Sequence, residues 1–360
     1  MIYSERLKHF ARLLPLLTGL AIMSPVRAAD ALPTVIRIGA PAIGVSGQQV
    51  LGGTLGIARS KGWIEDEFKR DGIRFEYPGF KGGAPMVGQA LANGQIDFAW
   101  QGDLLSVIGK SAGLNTRLIL PFSKMLNAYL VVAPNSSIHS ISDLRGKRVA
   151  FSKGNQIHLQ VIRILAANGM TENDIRSINL DFGMAVPALV GGDIDAAFGG
   201  PELLAARDRG VVKVAYSTRG LPFLTSYNGL LARQDFLDRY PQVAARLVKV
   251  LVRAAQYASD PAHRAEVAPI LAGVYSANDF AEDMSDRPWA DRLSPLLDPF
   301  LVAHYQATQE EVAQLGLLRG PKFDVAHWVD PEYVDAALRS LHLENYWAPL
   351  GADGRPLAGH

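Results

Sequence analysis

The sequence predicts an α/β protein built from two domains of related topology, and three observations support this fold class. At 360 residues the chain is longer than one typical domain of roughly 150 residues. Short apolar runs alternate with helical patterns, and glycine or proline ends most of them. A twelve-residue segment that begins at Leu91 recurs 98 residues later at Leu189, with Leu, Gly, Ile, Asp, Ala, an aromatic residue and Gly in register. The alternation predicts mainly parallel sheets that are covered by helices on both faces.

The elements of the first domain are each ended by a glycine or a proline, which break regular structure. The predicted order is strand 35–39 before Pro41, helix 51–61 before Gly62, strand 73–77 before Pro78, helix 86–93 before Gly94, and strand 96–100 before Gly102. Apolar alternation or short apolar runs identify the strands, and apolar residues at helical spacing identify the helices.

The second domain shows the same alternation of strands and helices, and a mostly helical region follows it. The predicted elements there are strand 129–133, strand 147–151, helix 157–168, strand 178–180 and strand 211–216. From Asp235 onward the pattern is mostly helical, with strong apolar spacing over 243–257 and again over 293–305.

Composition and charge exclude several classes of function. Hydrophobic residues make up 48% and charged residues 20% of the chain, as in globular proteins. The net charge is +1 and no basic tract is present, so nucleic acid is not a predicted partner. The chain has no cysteine, which excludes disulfides, thiolate metal sites and a cysteine nucleophile. The histidines show no metal-ligand spacing, and the sequence predicts no metal and no cofactor.

The first 28 residues have the pattern of a signal peptide. Basic residues precede an apolar run over 13–23, and small residues Val26 and Ala28 stand at the positions read before a cleavage site. The run is about half as long as a membrane-spanning helix, although an uncleaved anchor is the alternative. Without a cysteine for lipid attachment, the sequence predicts a freely diffusing periplasmic protein.

A glycine loop at 152–158 is the strongest local signal for a binding site. It connects a strand to a helix, and a helix N-terminus leaves backbone N–H groups that favour an anion. The predicted ligand contacts in this loop are Lys153, Gly154, Asn155, Gln156 and His158. Two alternatives remain at this stage, namely that the loop only caps its helix and that the histidine only packs within the second domain.

Further candidates lie at the carboxyl ends of the strands, where open α/β sheets bind their ligands. The predicted strand 96–100 is followed by Gln101, Gly102 and Asp103. The aspartate could equally cap the next helix. Gly200 and Glu202 follow the corresponding strand of the repeat. Two glycine-rich loops, at 44–49 and 82–85, add Gln48 and Gly83.

No catalytic residue is predicted. The segment 47–54 has the spacing of a phosphate-binding loop, but Gly53 stands where that motif needs lysine. The segment 44–47 lacks the glycine spacing of a nucleophile elbow.

Several of these segments together resemble one known family. They are Arg37-Ile38-Gly39, the run 91–103, the run 141–151, Ser152-Lys153-Gly154 with His158, and Gly192-Asp193-Ile194-Asp195-Ala196. The family is that of the periplasmic substrate-binding proteins of ABC importers for aliphatic sulfonates, taurine and nitrate. The resemblance covers most of the mature chain and is best over 36–253.

The resemblance implies a two-lobed clamp of the periplasmic-binding-protein type II, with two strands crossing between its lobes. Lobe 1 would comprise 34–122 plus 232–360, lobe 2 would comprise 128–220, and the hinge crossings would lie near 123–132 and 217–231. Asn127 and Tyr227, which lie in these crossings, complete the predicted ligand contacts. The implied function is delivery of a small organic anion, an aliphatic or aryl sulfonate, to the permease of an ABC importer in the inner membrane by a monomeric protein.

Two departures from the family pattern fall in the expected pocket. Asn155 and Gln156 stand where sulfonate binders typically have serines, and 198–201 reads Phe-Gly-Gly-Pro where Trp-Asp-Pro is common. These departures predict an altered or bulkier solute. Relatives of the fold that are enzymes, such as a desulfinase and a thiamine-pyrimidine synthase, depend on a cysteine, so the sequence predicts a protein that is not an enzyme. The alternatives are such an enzyme-like relative and a ligand-loaded partner of a membrane sensor.

Overall fold

The computed structural model describes residues 31–41, 52–81, 84–180, 182–273 and 276–357. The predicted signal peptide and the glycine-rich loop at 44–49 lie outside these residues. The strands are β1 (Val35–Pro41), β2 (Arg74–Glu76), β3 (Gly79–Phe80), β4 (Phe98–Gly102), β5 (Thr116–Leu126), β6 (Tyr129–Val132), β7 (Arg148–Phe151), β8 (Arg176–Asn179), β9 (Ala196–Gly199), β10 (Lys213–Ser217) and β11 (Ser226–Arg233).

Helices surround both sheets and dominate the C-terminal third of the chain. They are α1 (Gly53–Ser60), α2 (Trp63–Phe68), α3 (Ala84–Ala92), α4 (Asp103–Ser111), α5 (Gln156–Ala167), α6 (Phe182–Val190), α7 (Leu204–Asp208), α8 (Gln234–Arg239), α9 (Pro241–Ser259), α10 (Arg264–Ala272), α11 (Ala277–Asp283), α12 (Trp289–Leu293), α13 (Pro299–Gln314), α14 (Val325–Trp328) and α15 (Glu332–Leu341). None of the helices that the structure describes is long and apolar enough to cross a lipid bilayer.

The first sheet has the strand order β2-β1-β4-β11-β5, with β3 also paired to β1. Strand β1 runs parallel to β2, β3 and β4, whereas β11 runs antiparallel to β4 and β5. Ile36 and Ile38 of β1 are fully buried, as expected for a strand with helices on both faces of its sheet. The carboxyl ends of β1 and β4 therefore meet at one edge of this sheet.

The second sheet has the order β10-β6-β9-β7-β8, and β7 runs parallel to β8 and β9. The chain passes from β5 of the first sheet to β6 of the second through Asn127 and Ala128, and it returns from β10 to β11 through 218–225. The fold is thus a mixed α/β fold with two sheets joined by two crossings, which confirms the predicted fold class. The predicted lobe boundaries stay a prediction.

The two copies of the sequence repeat make the same hydrogen bonds in the two sheets. Asp97 accepts a hydrogen bond from the backbone N–H of Arg37 on β1, at 2.9 Å. Asp195, 98 residues later, accepts one from the backbone N–H of Arg148 on β7, at 2.8 Å. Each carboxylate thereby joins the start of its strand to the neighbouring parallel strand.

The helical pattern noted over 293–305 is interrupted in the structure. Helix α12 ends at Leu293, and α13 begins only at Pro299. Pro295 breaks the helical pattern between them. Asp298 then caps α13 by accepting a hydrogen bond from the Leu301 N–H at 3.0 Å, so capping and proline override the apolar spacing.

Candidate anion-binding site

The N-termini of two helices flank the carboxyl end of β4. A methyl group added to Gly52, which precedes α1, would lie 3.8 Å from Cη2 of Trp100 on β4. A methyl group added to Gly102, at the end of the same strand, would lie 3.0 Å from Oε1 of Gln156, the first residue of α5. Helix α1 belongs to the first sheet and α5 to the second, so groups from both sheets meet at this strand end.

The N-terminus of α1 offers hydrogen-bond donors. Within the described ranges no side chain caps this helix, and no acidic residue lies in its first turn. Thr54 is 3% exposed, and its buried hydroxyl has no hydrogen-bond partner among the described residues. Among the described residues, the backbone N–H groups of Gly53 and Thr54 have no hydrogen-bond acceptor either. Unpaired N–H groups at the positive end of a helix dipole suit an anion.

Aromatic rings line the space beside these donors. Trp100 stacks on Phe122 with 5.3 Å between the ring centroids. A methyl group added to Gly53 would lie 3.4 Å from Cδ1 of Phe122. Donors for an anionic head beside an apolar wall form a site that suits an organic anion.

Sequence reasoning missed part of this arrangement. Gly53 and Thr54 lie in a segment that lacks the lysine of a phosphate-binding loop, and no local pattern points to Phe122. The available signal was two glycines followed by a threonine at the start of an amphipathic helix. Gln48 and Gly83, from the two neighbouring loops, lie outside the described residues.

The predicted loop at 152–158 is positioned at the start of α5, but most of its donors are already paired. Asn155 caps the helix by accepting a hydrogen bond from the Ile157 N–H at 3.0 Å, and its amide donates to Ser152 at 2.9 Å. The N–H of Gly154 donates to Nδ1 of His158 at 3.2 Å. Gln156 of this loop lies beside Gly102 of β4, since its Oε1 would be 3.0 Å from a methyl group added there.

Lys153 and His158 are held by one carboxylate of the second sheet. Nζ of Lys153 donates to Glu172 at 2.5 Å and to the hydroxyl of Ser177 at 2.8 Å. Nε2 of His158 lies 3.0 Å from the other carboxylate oxygen of Glu172. Burial alone would raise the pKa of Glu172, but the hydrogen bonds from Lys153, His158 and Ser177 outweigh it and lower the pKa to about 2. The structure gives Lys153 an ion-pair partner within its own half of the molecule.

Because of this ion pair, we expect the difference in stability between the wild-type protein and a Glu172→Gln variant to depend on pH. Because the folded protein lowers the pKa of Glu172 from 4.5 to about 2, its ionised form stabilises the fold fully above about pH 4.5, and this stabilisation disappears as the pH falls towards 2. We expect urea unfolding to show that Glu172→Gln lowers the free energy of unfolding at pH 7 and has little effect near pH 2. A loss that is the same at every pH would contradict this assignment.

Three of the predicted ligand contacts are buried near the crossings and bind other parts of the protein, namely Asp103, Asn127 and Tyr227. Asp103 is fully buried and lies 2.7 Å from Nε2 of His304. Burial alone would raise the pKa of Asp103, but the hydrogen bond with His304 and the charge of Arg163 hold it below its ordinary value. The amide of Asn127 donates to the side chain of Asp283 at 3.1 Å. The ring of Tyr227, which is 1% exposed, packs 4.2 Å from that of His304.

The remaining predicted residues lie at the ligand edges of the two sheets. Gln101 is buried, with 3% of its surface exposed, and it follows Trp100 on β4. Gly200 and Glu202 follow β9, and the Gly200 N–H donates to the Glu202 carboxyl at 2.7 Å. Within the part of the chain that the structure describes, no three His, Asp or Glu side chains form a possible metal site.

Comparison with known proteins places the chain in a family. The family model described as "NMT1/THI5 like" matches residues 54–264, more than half of the chain. The chain belongs to the NMT1/THI5-like family. A relative from Bacillus subtilis (strain 168), named as an aliphatic sulfonates-binding protein, is 28% identical over 200 residues. That alignment covers 55% of this chain, and the chain spans only 60% of the relative's length.

Solved structures agree with the fold of this NMT1/THI5-like protein. The periplasmic sulfonate-binding protein SsuA from Methylobacillus flagellatus KT has a TM-score of 0.80 at 27% identity, over 88% of this chain and 97% of that one. The resemblance predicted from the sequence is therefore confirmed. The desulfurization enzyme DSZB also matches, with a TM-score of 0.66 over 85% of this chain and 99% of that one, but at 16% identity it shares the fold alone.

Proposed function

We propose that this protein is a periplasmic binding protein that holds a small sulfonate and delivers it to the permease of an ABC importer. The observation that carries the proposal is the start of α1, where unpaired N–H groups and the buried Thr54 hydroxyl lie beside Trp100 and Phe122. The predicted signal peptide supports export, and the names of the relatives support sulfonates as the ligand class.

A sulfonate supplies the hydrogen-bond acceptors that the unpaired donors of this site lack. A sulfonate carries one negative charge and oxygen atoms that only accept hydrogen bonds, so it needs several donors around its head. The N-terminus of α1 supplies such donors and a favourable dipole without requiring a cationic side chain. The stacked rings of Trp100 and Phe122 supply an apolar surface for the carbon chain.

In this proposal the protein is a monomer that binds the sulfonate and does not convert it chemically. The chain has no cysteine, and no described histidine or carboxylate hydrogen-bonds to the Thr54 hydroxyl to activate it as a nucleophile. Gln156 of α5 reaches β4 of the first sheet, so closing or opening the two halves would change the site directly. This coupling suits a protein that must hold a ligand and then release it to a partner.

Calorimetry on the chain from residue 29 tests the proposal. We expect ethanesulfonate or benzenesulfonate to bind, and Thr54→Val to weaken that binding about tenfold or more, because a hydrogen bond to a charged group contributes about 1.5–3 kcal/mol. Thr34→Val makes the same change at an exposed position outside the site and should leave affinity unchanged. Binding of only cations or sugars would refute the anion site, and product detected by mass spectrometry would refute binding without conversion.

A further inference from the structure

Residues 282–286, here called the strap, are anchored among the helices that cover the first sheet. Met284 is 3% exposed and belongs to the hydrophobic core around β1. The ring of Phe280, just before the strap, packs against that of Trp289, just after it, with 5.8 Å between the ring centroids. Helix α12 then packs against α9 and β5. The strap therefore leaves from the first-sheet part of the molecule and returns to it.

Two polar side chains of the strap reach across to the second-sheet part of the molecule. Glu282 pairs with Arg207 of α7, with 2.6 Å between Oε2 and Nη2. Leu204 of the same helix is buried in a core that contains β7 and β9, so α7 belongs with the second sheet. Ser285 accepts a hydrogen bond at 2.6 Å from Arg219, which follows β10 in the return crossing. The strap thus binds both a helix of the second sheet and a crossing.

The carboxylate of Asp283, in the middle of the strap, connects both parts of the molecule. Its Oδ2 accepts a hydrogen bond at 2.8 Å from Arg292 of α12, on the first-sheet side. Its Oδ1 accepts one at 3.1 Å from the amide of Asn127, in the crossing from β5 to β6, and one at 2.8 Å from the hydroxyl of Tyr129 on β6. All four residues are buried. A buried carboxylate whose oxygens are all paired is a firm anchor, because removing any partner would leave a charge unpaired.

We propose that the strap limits how far the two sheets move apart and so holds Gln156 of α5 beside Gly102 of β4. Asp283 binds at a crossing, where the chain links the two sheets, so its hydrogen bonds tolerate a rotation of one sheet relative to the other. The ion pair between Glu282 and Arg207 lies off the crossings and breaks when α7 moves away with its sheet. Two arrangements of one protein often differ little in free energy, so a single ion pair shifts their populations.

Distances between two spin labels, measured by pulsed electron paramagnetic resonance, test the strap without any ligand. The chain has no cysteine, so Gln89→Cys on α3 and Ala167→Cys on α5 provide two exposed label sites, one on each side of the crossings. Glu282→Gln removes the charge and keeps the size of the side chain. We expect it to raise the ratio of long to short label distances about twofold or more. Unchanged distances in this variant would overturn the proposal.

Glu67→Gln is the matched control for Glu282→Gln. Glu67 pairs with Arg246 at 2.8 Å, and both residues lie on helices of the first sheet, α2 and α9. The side chains of Glu67 and Glu282 are 30% and 36% exposed. The control should leave the label distances unchanged, and an equal shift in both variants would contradict a specific role of the strap. Should Glu282→Gln fail to fold, Ser285→Ala removes the contact with Arg219 from an exposed position and should shift the distances in the same direction.

The affinity for ethanesulfonate, measured by calorimetry, is a second readout that rests on the proposed function. We expect Glu282→Gln to weaken binding about twofold or more, because fewer molecules then hold Gln156 beside β4, and Glu67→Gln to leave it unchanged. If no sulfonate binds the wild-type protein, the proposed function is wrong, and the label distances still decide whether the strap acts. If ethanesulfonate binds the wild-type protein and Glu282→Gln equally, the effect of the strap on the site is wrong and the proposed function stands.

Discussion

Replacing Gly53 with valine is expected to weaken sulfonate binding about 100-fold, which corresponds to about 2.8 kcal/mol. Gly53 has a φ of +65°, a left-handed conformation that costs a side chain about 1–2 kcal/mol and a β-branched one more. The first added carbon would also lie 3.4 Å from Phe122, so larger branches must displace the ring. Both effects move the N–H groups and the aromatic wall that the ligand needs. Calorimetry with the best-binding sulfonate measures the loss.

Gly62 provides the matched control for this variant. It has nearly the same φ, +68°, precedes α2 and has nothing within 4 Å of an added methyl group. Gly62→Val should therefore lower the melting temperature through backbone strain and keep the affinity for sulfonate. Binding by Gly53→Val that equals that of Gly62→Val would place the ligand away from the start of α1.

Arg163→Met is expected to lower the free energy of unfolding by about 3–5 kcal/mol, because it leaves buried partners unpaired. The guanidinium of Arg163 donates to Glu311 at 2.9 Å, to the backbone carbonyl of Thr225 at 2.9 Å and to Thr308 at 2.7 Å. It also lies 3.7 Å from the carboxylate of Asp103, which is fully buried. Arg163 belongs to α5, so its loss removes a connection from the second sheet to a crossing and to α13. Urea unfolding monitored by circular dichroism measures the effect.

Arg148→Met is the comparison for Arg163→Met. Arg148 pairs with Asp195 at 2.8 Å, but the side chain is 40% exposed and solvent screens the pair. Its replacement should therefore lower the free energy of unfolding far less than that of Arg163 does. Equal losses in the two variants would show that the buried network around Arg163 contributes no more than a surface ion pair.

The loop at 152–158 shows which structural features a local sequence pattern predicts and which it does not. The pattern predicted a helix starting near Ile157 after a glycine turn, and α5 begins at Gln156 with Gly154 at a φ of +76°. The pattern did not reveal that Glu172, 19 residues after Lys153, binds that lysine. The prediction of this loop as the anion site stays untested, whereas the proposed site uses unpaired donors at the start of α1.

The sequence by itself determined the alternation of strands and helices, the two related halves and the family, because these depend on apolar spacing and on glycines within short segments. Only the tertiary structure decided which groups meet. It brought Gln156 to Gly102, folded Glu202 over two glycines and buried Arg163 against α13. Such contacts join residues far apart along the chain, and their partners are chosen by packing and by the need to pair buried polar groups, which no local pattern records.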